Sequence, residues 1–219
     1  MRLGYRYTKS MNITKFVHSC LLVETPGRAA LFDPGQFSWE SKLFDISTVS
    51  QLDDIFITHE HFDHCWLPFV EALVAKFPAV RITGPQAVVA KLAEAGIKAA
   101  TTVPEGVELL ATNHESVAPL GPTPEHTGFH YLGKLTHGGD SHTFTETKEV
   151  LALAATAPWG TLMRAAELGA ELKPRVIIPI HDWHWNNTAR AQAYDRLEEF
   201  FKGQGITFIK LTDGQAFSV

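Results

Sequence analysis

The chain of 219 residues holds only two cysteines, Cys20 and Cys65, far apart and in no Cys-x-x-Cys pair. That excludes a disulfide framework and a zinc ribbon, and it points to a reducing compartment. Positive charge is also in deficit: 19 lysines and arginines against 24 aspartates and glutamates leave a net charge of −5. No basic field recruits nucleic acid or acidic membranes. Apolar runs of membrane-spanning length are missing, and the first ten residues, MRLGYRYTKS, lack the apolar core of a signal peptide. Low-complexity tracts and internal repeats are absent as well. These absences leave the expectation of a soluble, cytoplasmic protein. Residues 1–10 read as an N-terminal extension, with Met11 an alternative start, and residues 11–219 as one domain.

Hydrophobic residues make up 45% of the chain and charged residues 20%, enough for a sizeable core. Short apolar or alternating runs predict strands at Ile13–Phe16, Cys20–Glu24, Ala29–Phe32 and Asp54–Ile57. Further strands are expected at Val80–Thr83, Val107–Thr112, Val150–Ala154 and Arg175–Ile180, with a hairpin of Phe129–Leu132 and Lys134–His137 around Gly133. Ile206–Leu211 and Gln215–Val219 read as a closing strand pair around Asp213-Gly214. Helical spacing appears at Leu67–Phe77, Pro85–Ala95, Gly160–Leu172 and Thr188–Phe201. Strand-rich first, then alternating strands and helices, the order argues for an α/β fold layered around sheets.

The densest chemistry lies in Thr58–Trp66, THEHFDHCW. An i, i+2 pair directly after a strand, His59 and His61, points two imidazoles the same way, and neutral imidazoles bind zinc and related divalent ions. Asp63 and His64 follow where the chain turns into a helix, and they can face a second position a few ångströms off. Two ions about 3.5–4 Å apart form a clamp for hydrolysis. Among the other histidines, His181 leaves the buried run RVIIPI at its C-terminal end, with His184 a competitor three residues on. Asp140 follows Gly138-Gly139, where turn chemistry alone favours aspartate. His114 (LLATNHES) and His126 (TPEHTGFH) both compete as a further ligand. His18 reads as structural or as a group behind the ligands, His130 and His137 as core or sheet-face residues, and His142 as a group able to line a pocket. Cys65 reads as a small buried hydrophobe. Trp159, Trp183 and Trp185 flank the candidate loops, where one can form a pocket wall.

THEHFDH resembles the His-x-His-x-Asp-His signature of the metallo-β-lactamase superfamily. In order along the chain, ITKFVHSCLLVETPGRAALFDPG is similar to its opening strands and Asp-Pro-Gly turn, HGGDS to its Gly-Asp segment, and VIIPIHDWH to its last strand and histidine. The likeness runs from about Asn12 to the C-terminus and is nearest the branch that includes L-ascorbate-6-phosphate lactonase. It implies a four-layer αβ/βα sandwich over residues 11–219 and a dinuclear centre. His59, His61 and His114 would hold one ion, Asp63, His64 and His181 the other, with Asp140 bridging. The branch places a histidine after an apolar strand, which favours His114. The segment around His126 is superficially like one in glyoxalase-type relatives.

The resemblance thus implies a metal-dependent hydrolase in which Asp63 is both ligand and orienter of the attacking water. Two divalent ions would serve as cofactors, zinc by default, with manganese the runner-up and iron also suited. The expected partner is a small-molecule ester, lactone, amide or phosphodiester, with His126 and His184 on the substrate side or behind the ligands. Nucleic acid and membrane are not expected as partners, and a homo-oligomer stays open. Three competing readings are a nuclease of the same fold, a non-catalytic metal-binding protein and a flavodiiron-type reductase. The acidic charge, the full ligand set and the lack of room for a flavodoxin domain stand against them in turn.

Overall fold

The structure is a computed structural model, which describes residues 10–219; the expected N-terminal extension falls, except for Ser10, outside the described residues. In chain order the first half runs β1 (Asn12–Lys15), β2 (Leu21–Thr25), β3 (Arg28–Phe32), α1 (Gln36–Ser41), β4 (Asp54–Phe56), α2 (Leu67–Lys76), β5 (Arg81–Thr83) and α3 (Gln86–Glu94). The second runs β6 (Val107–Leu110), β7 (Gly128–Tyr131), β8 (Leu135–His137), β9 (Val150–Ala154), α4 (Leu162–Leu172), β10 (Val176–Ile180), α5 (Asn187–Gly203), β11 (Thr207–Phe208) and β12 (Ala216–Ser218).

Two mixed six-stranded sheets result, ordered β12-β1-β2-β3-β4-β5 and β11-β10-β9-β8-β7-β6. Their inner faces meet. Along β3, Ala30 and Phe32 point into the space between the sheets, as do Val150, Ala152 and Ala154 of β9 and Val176, Ile178 and Ile180 of β10. The alternate residues point outward: Leu31 and Ile55 pack on Phe69, Leu73 and Leu92 of α2 and α3, and Leu151, Leu153 and Ile177 pack on Leu168, Leu197 and Phe201 of α4 and α5. Burial on both faces is why VLALA and VIIPI read as unbroken apolar runs. The layers are helix, sheet, sheet, helix. Helix starts follow ordinary capping chemistry: the side chains of Thr161 and Asn186 accept the N–H groups of Arg164 and Ala189.

The closing strand pair is corrected. β11 joins β10 in parallel, whereas β12 pairs antiparallel with β1 in the other sheet. The apolar residues divide the same way: Ile206 and Phe208 pack beneath α5, while Leu211, Phe217 and Val219 belong to the core between the sheets. The turn at Asp213-Gly214 (φ of Gly214 83°) therefore passes from one sheet to the other. The short helix α1, unassigned in the sequence reading, follows Gly35 and ends on Lys42 in left-handed conformation.

One buried ionic cluster ties this crossing to β1. Lys15, with no exposed side-chain surface, pairs with Asp182 at 3.0 Å and Asp213 at 2.5 Å. Arg190 pairs with the same two carboxylates at 2.9 and 3.2 Å, and Tyr194 donates its hydroxyl to Asp182. Two cations against two anions leave no net buried charge, and removing one partner of such a set is far costlier than its net contribution. Lys15→Met is expected to destabilise by about 3 kcal/mol, read as a lowered urea midpoint. An unchanged midpoint would show the cluster to be neutral.

Candidate metal centre

Every candidate ligand sits on a loop that leaves the C-terminal end of a strand. The first sheet supplies His18 after β1 and His59, His61, Asp63 and His64 after β4; the second supplies His114 after β6, Asp140 after β8 and His181 after β10. His18, Asp33 and His181 turn with left-handed backbone (φ 70°, 44° and 62°). Non-glycine residues hold that conformation at a cost of about 1–3 kcal/mol, so surrounding contacts must enforce it. After β4 the chain closes tightly, with the N–H groups of His64 and Cys65 both donating to the His61 carbonyl at 3.0 and 2.8 Å.

The loops bring three sets of ligand atoms together, each set within 4.8 Å: His59, His61 and His114; His18, Asp63, His64 and His181; and His59, His64 and Asp140. Asp140 stands between the first two. Its Oδ1 is 3.0 Å from His64 Nε2, and its Oδ2 is 3.0 Å from His181 Nε2 and 3.5 Å from His114 Nε2. The Trp159 indole N–H donates to Asp140 Oδ2 at 3.2 Å.

Partners on the far side of each ring turn its Nε2 inward. His181 Nδ1–H donates to the Thr156 carbonyl at 2.8 Å, and His114 Nδ1–H donates to the Glu115 carbonyl at 2.6 Å. His64 Nδ1–H donates to Asp33 Oδ2 at 2.7 Å, while the other Asp33 oxygen accepts the Thr58 N–H at 2.7 Å. Such outer partners fix ring orientation and raise ligand basicity.

Charge in the cluster follows burial and neighbours. Burial, then His64, holds His59 well below the ordinary histidine range. Burial, then His181, lowers His18 to about 3. Neutral imidazoles of this kind are the form that binds metal. Burial also pulls on His64, but Asp140 and Asp33 on either side raise it well above the usual value. Burial raises Asp140, yet the His181 and His64 charges outweigh it and hold the carboxyl well below its usual range. For Asp63 burial is likewise outweighed, by the His18 hydrogen bond and the His64 charge, and the net direction is down.

The structure thus groups His59 and His61 with His114, and Asp63 and His64 with His181, around Asp140. His126 stands behind: its Nε2 accepts the Asp140 N–H at 3.2 Å, and its ring lies 5.5 Å from that of His59. His184 is exposed between Trp183 and Trp185. Neither His126 nor His184 lines the cavity described below. His130 and His137 sit in strands β7 and β8, His142 donates Nε2–H to the Ala154 carbonyl at 2.8 Å, and Cys65 is fully buried.

Two residues were not read as belonging to the centre itself. Asp33 was visible only as the start of a turn; the Asp-Pro-Gly motif was the available signal. His18 gave no such signal, because its neighbours lie in distant loops. Its Nε2 lies 3.2 Å from His64 Nε2 and 3.3 Å from Asp63 Oδ2, and its ring centroid is 3.9 Å from that of His181. His18→Ala is expected to weaken metal binding on this side by roughly 10–100-fold, measured by equilibrium dialysis of the second equivalent. Undiminished affinity would remove His18 from the centre.

The donor set fits divalent ions. Among the described residues, Nε2 of His59 and Nε2 of His114 are buried without a hydrogen-bond partner, a costly state for a polar atom that a bound ion would relieve. A cavity of about 730 Å³ opens over the centre, reached by His61, Asp63, His114, Asp140 and His181 and walled by Trp159 and Trp183.

Known proteins resemble this chain in sequence and in fold. Residues 13–181 match the metallo-β-lactamase superfamily, a span that contains every candidate ligand. The chain is 30% identical over 200 residues to the Mycobacterium tuberculosis protein Rv0786c, covering 86% of this chain and 92% of that one. It is 28% identical over 196 residues to a UPF0173 metal-dependent hydrolase of Pyrobaculum neutrophilum, with 78% and 84% covered. In three dimensions it is similar to Igni18, a metallo hydrolase of the hyperthermophilic archaeon Ignicoccus hospitalis, at a TM-score of 0.69 and 18% identity over 96% and 98% of the two chains.

Proposed function

The chain belongs to the metallo-β-lactamase superfamily and is a metal-dependent hydrolase, as its relatives are named, and from that premise we propose that it opens a small-molecule ester or lactone at a dinuclear centre. The observation that carries the two-ion reading is the position of Asp140 between the two groups, 3.5 Å from His114 of the first and 3.0 Å from both His64 and His181 of the second. His59, His61 and His114 would hold one ion; Asp63, His64 and His181 would hold the other. Zinc is the first choice, and manganese and iron suit the same donors. A lactone is the preferred bond on the likeness to the lactonase branch, and the cytoplasm is the proposed location.

When bound, such ions supply Lewis-acid activation of water and of the electrophile. The protein's own groups do the rest. Asp63, 18% exposed and hydrogen-bonded to His18, borders the cavity and is placed to orient a water and take its proton. Water oxygen adds to the acyl carbon, the bond to the leaving oxygen breaks, and the proton passes to that oxygen. Trp159 fixes Asp140, and the aromatic walls limit solvent access. The reading is tested by metal analysis together with a panel of lactone, phosphodiester and thioester substrates. About two ions per chain are expected, and Asp63→Asn should lower turnover by about 100-fold with the fold intact. A purified, folded protein without stoichiometric metal would sink the proposal.

A further inference from the structure

Around the polar floor of the cavity the walls are apolar. Phe37, Phe62, Val117, Leu120, Trp159 and Trp183 line it, and several of them face water: Phe62 is 50% exposed, Trp183 40% and Leu120 91%. Apolar surface left open beside a polar centre marks a binding site. The wall is braced. Phe37 stacks on Trp183 with ring centroids 4.1 Å apart and planes 21° from parallel, and Phe62 stands edge-on to Phe37 at 5.9 Å.

The charges around the cavity are one-sided. Among the described residues no lysine or arginine lines it, whereas Glu60 and Glu125 do. The lysine beside Glu60 is engaged elsewhere: Lys91 Nζ donates to the carbonyls of Glu60 and Cys65 at 2.6 and 2.9 Å. Glu125 accepts the Ala87 N–H at the start of α3 at 2.9 Å, which holds its carboxylate in place. Ions in the centre would neutralise the reacting group alone. A second anionic group farther along a substrate would find no cation there, and desolvating an unpaired charge is unfavourable.

We propose that the substrate's non-reacting part is apolar, of aromatic or short alkyl size, and carries no phosphate or carboxylate. This rests on the hydrolytic reading above and narrows it: the phosphorylated lactone that the family likeness would suggest lacks a partner here, while an uncharged acyl or aryl ester has a fitted wall.

The test uses two metal-chelating probes that differ only in the remote group, benzohydroxamate and 4-carboxybenzohydroxamate, titrated calorimetrically into the metal-loaded full-length protein. Benzohydroxamate is expected to bind at least about tenfold more tightly, and Trp183→Ala should erase roughly tenfold of its affinity, the scale of one aromatic contact, without changing metal content. Glu60→Lys should narrow the gap between the probes. Equal or tighter binding of the carboxylate probe overturns the proposal, as does indifference of benzohydroxamate to Trp183→Ala or its failure to bind the loaded protein. Probe discrimination without turnover of any ester would instead remove the hydrolytic reading and leave the cavity's selectivity standing.

Discussion

Asp140→Asn is expected to lower kcat/KM by about a thousandfold, the upper range for removing one preorganised electrostatic group from an active site, while the protein stays folded. The side chain is buried, with His64 3.0 Å from one oxygen and His181 3.0 Å from the other. Asparagine keeps the shape and one oxygen but loses the charge that two cations would share. Folding should survive, because the backbone N–H of residue 140 still reaches His126 and the Trp159 indole still has an acceptor. Elemental analysis should show fewer than two ions per chain. Wild-type turnover in this variant would contradict the bridging role.

The second large effect is expected at Gly35, which touches no substrate. A Cβ at that position would lie 1.6 Å from the carbonyl oxygen of Asp63, 2.2 Å from its carbon and 2.9 Å from the His64 nitrogen. All three are backbone atoms, so no rotamer change relieves the overlap. The backbone φ of −90° is open to any residue, and glycine is required by proximity alone. The contact is clamped on both sides: the Gln36 N–H donates to Phe62 and the Trp66 N–H to Pro34, each at 3.0 Å. Gly35→Ala must push the Asp63–His64 segment away and break that clamp. A loss above about 4 kcal/mol is expected, in the exceptional range for one substitution, with metal binding lost as well. A thermal midpoint equal to that of the parent would refute the clash.

How far the sequence was legible depended on how local each signal was. THEHFDH lies in one loop, and its spacing survives folding because the strand before it and the helix after it fix both ends. Val150–Ala154 and Val176–Ile180 were legible as strands for the same reason: burial on both faces leaves only apolar residues. The separation of β11 from β12 was not. Both segments are short and apolar, and the choice of partner depends on which core receives Phe208 and which receives Phe217, a tertiary matter. His18 stayed hidden because a lone histidine after a strand looks the same whether it faces solvent or Asp63. Gly35 was readable as a turn residue, but the Asp63 carbonyl lying against it was not. Mirrored strand orders in the two sheets emerged without any internal sequence repeat, since pairing constrains patterns of burial and not residue identity.

Five of the eight side chains gathered at the centre come from loops of one sheet and three from the other. An ion shared between them is a cross-link whose affinity is spent only if the sheets are face to face in register. Occupancy and fold stability are then linked quantities: ligand held at a hundred times its dissociation constant adds about 2.7 kcal/mol to unfolding, and here that increment bears on the seam between the halves. A chelator would act on this protein as a mild denaturant, loosening the sandwich along the line where the catalyst is assembled.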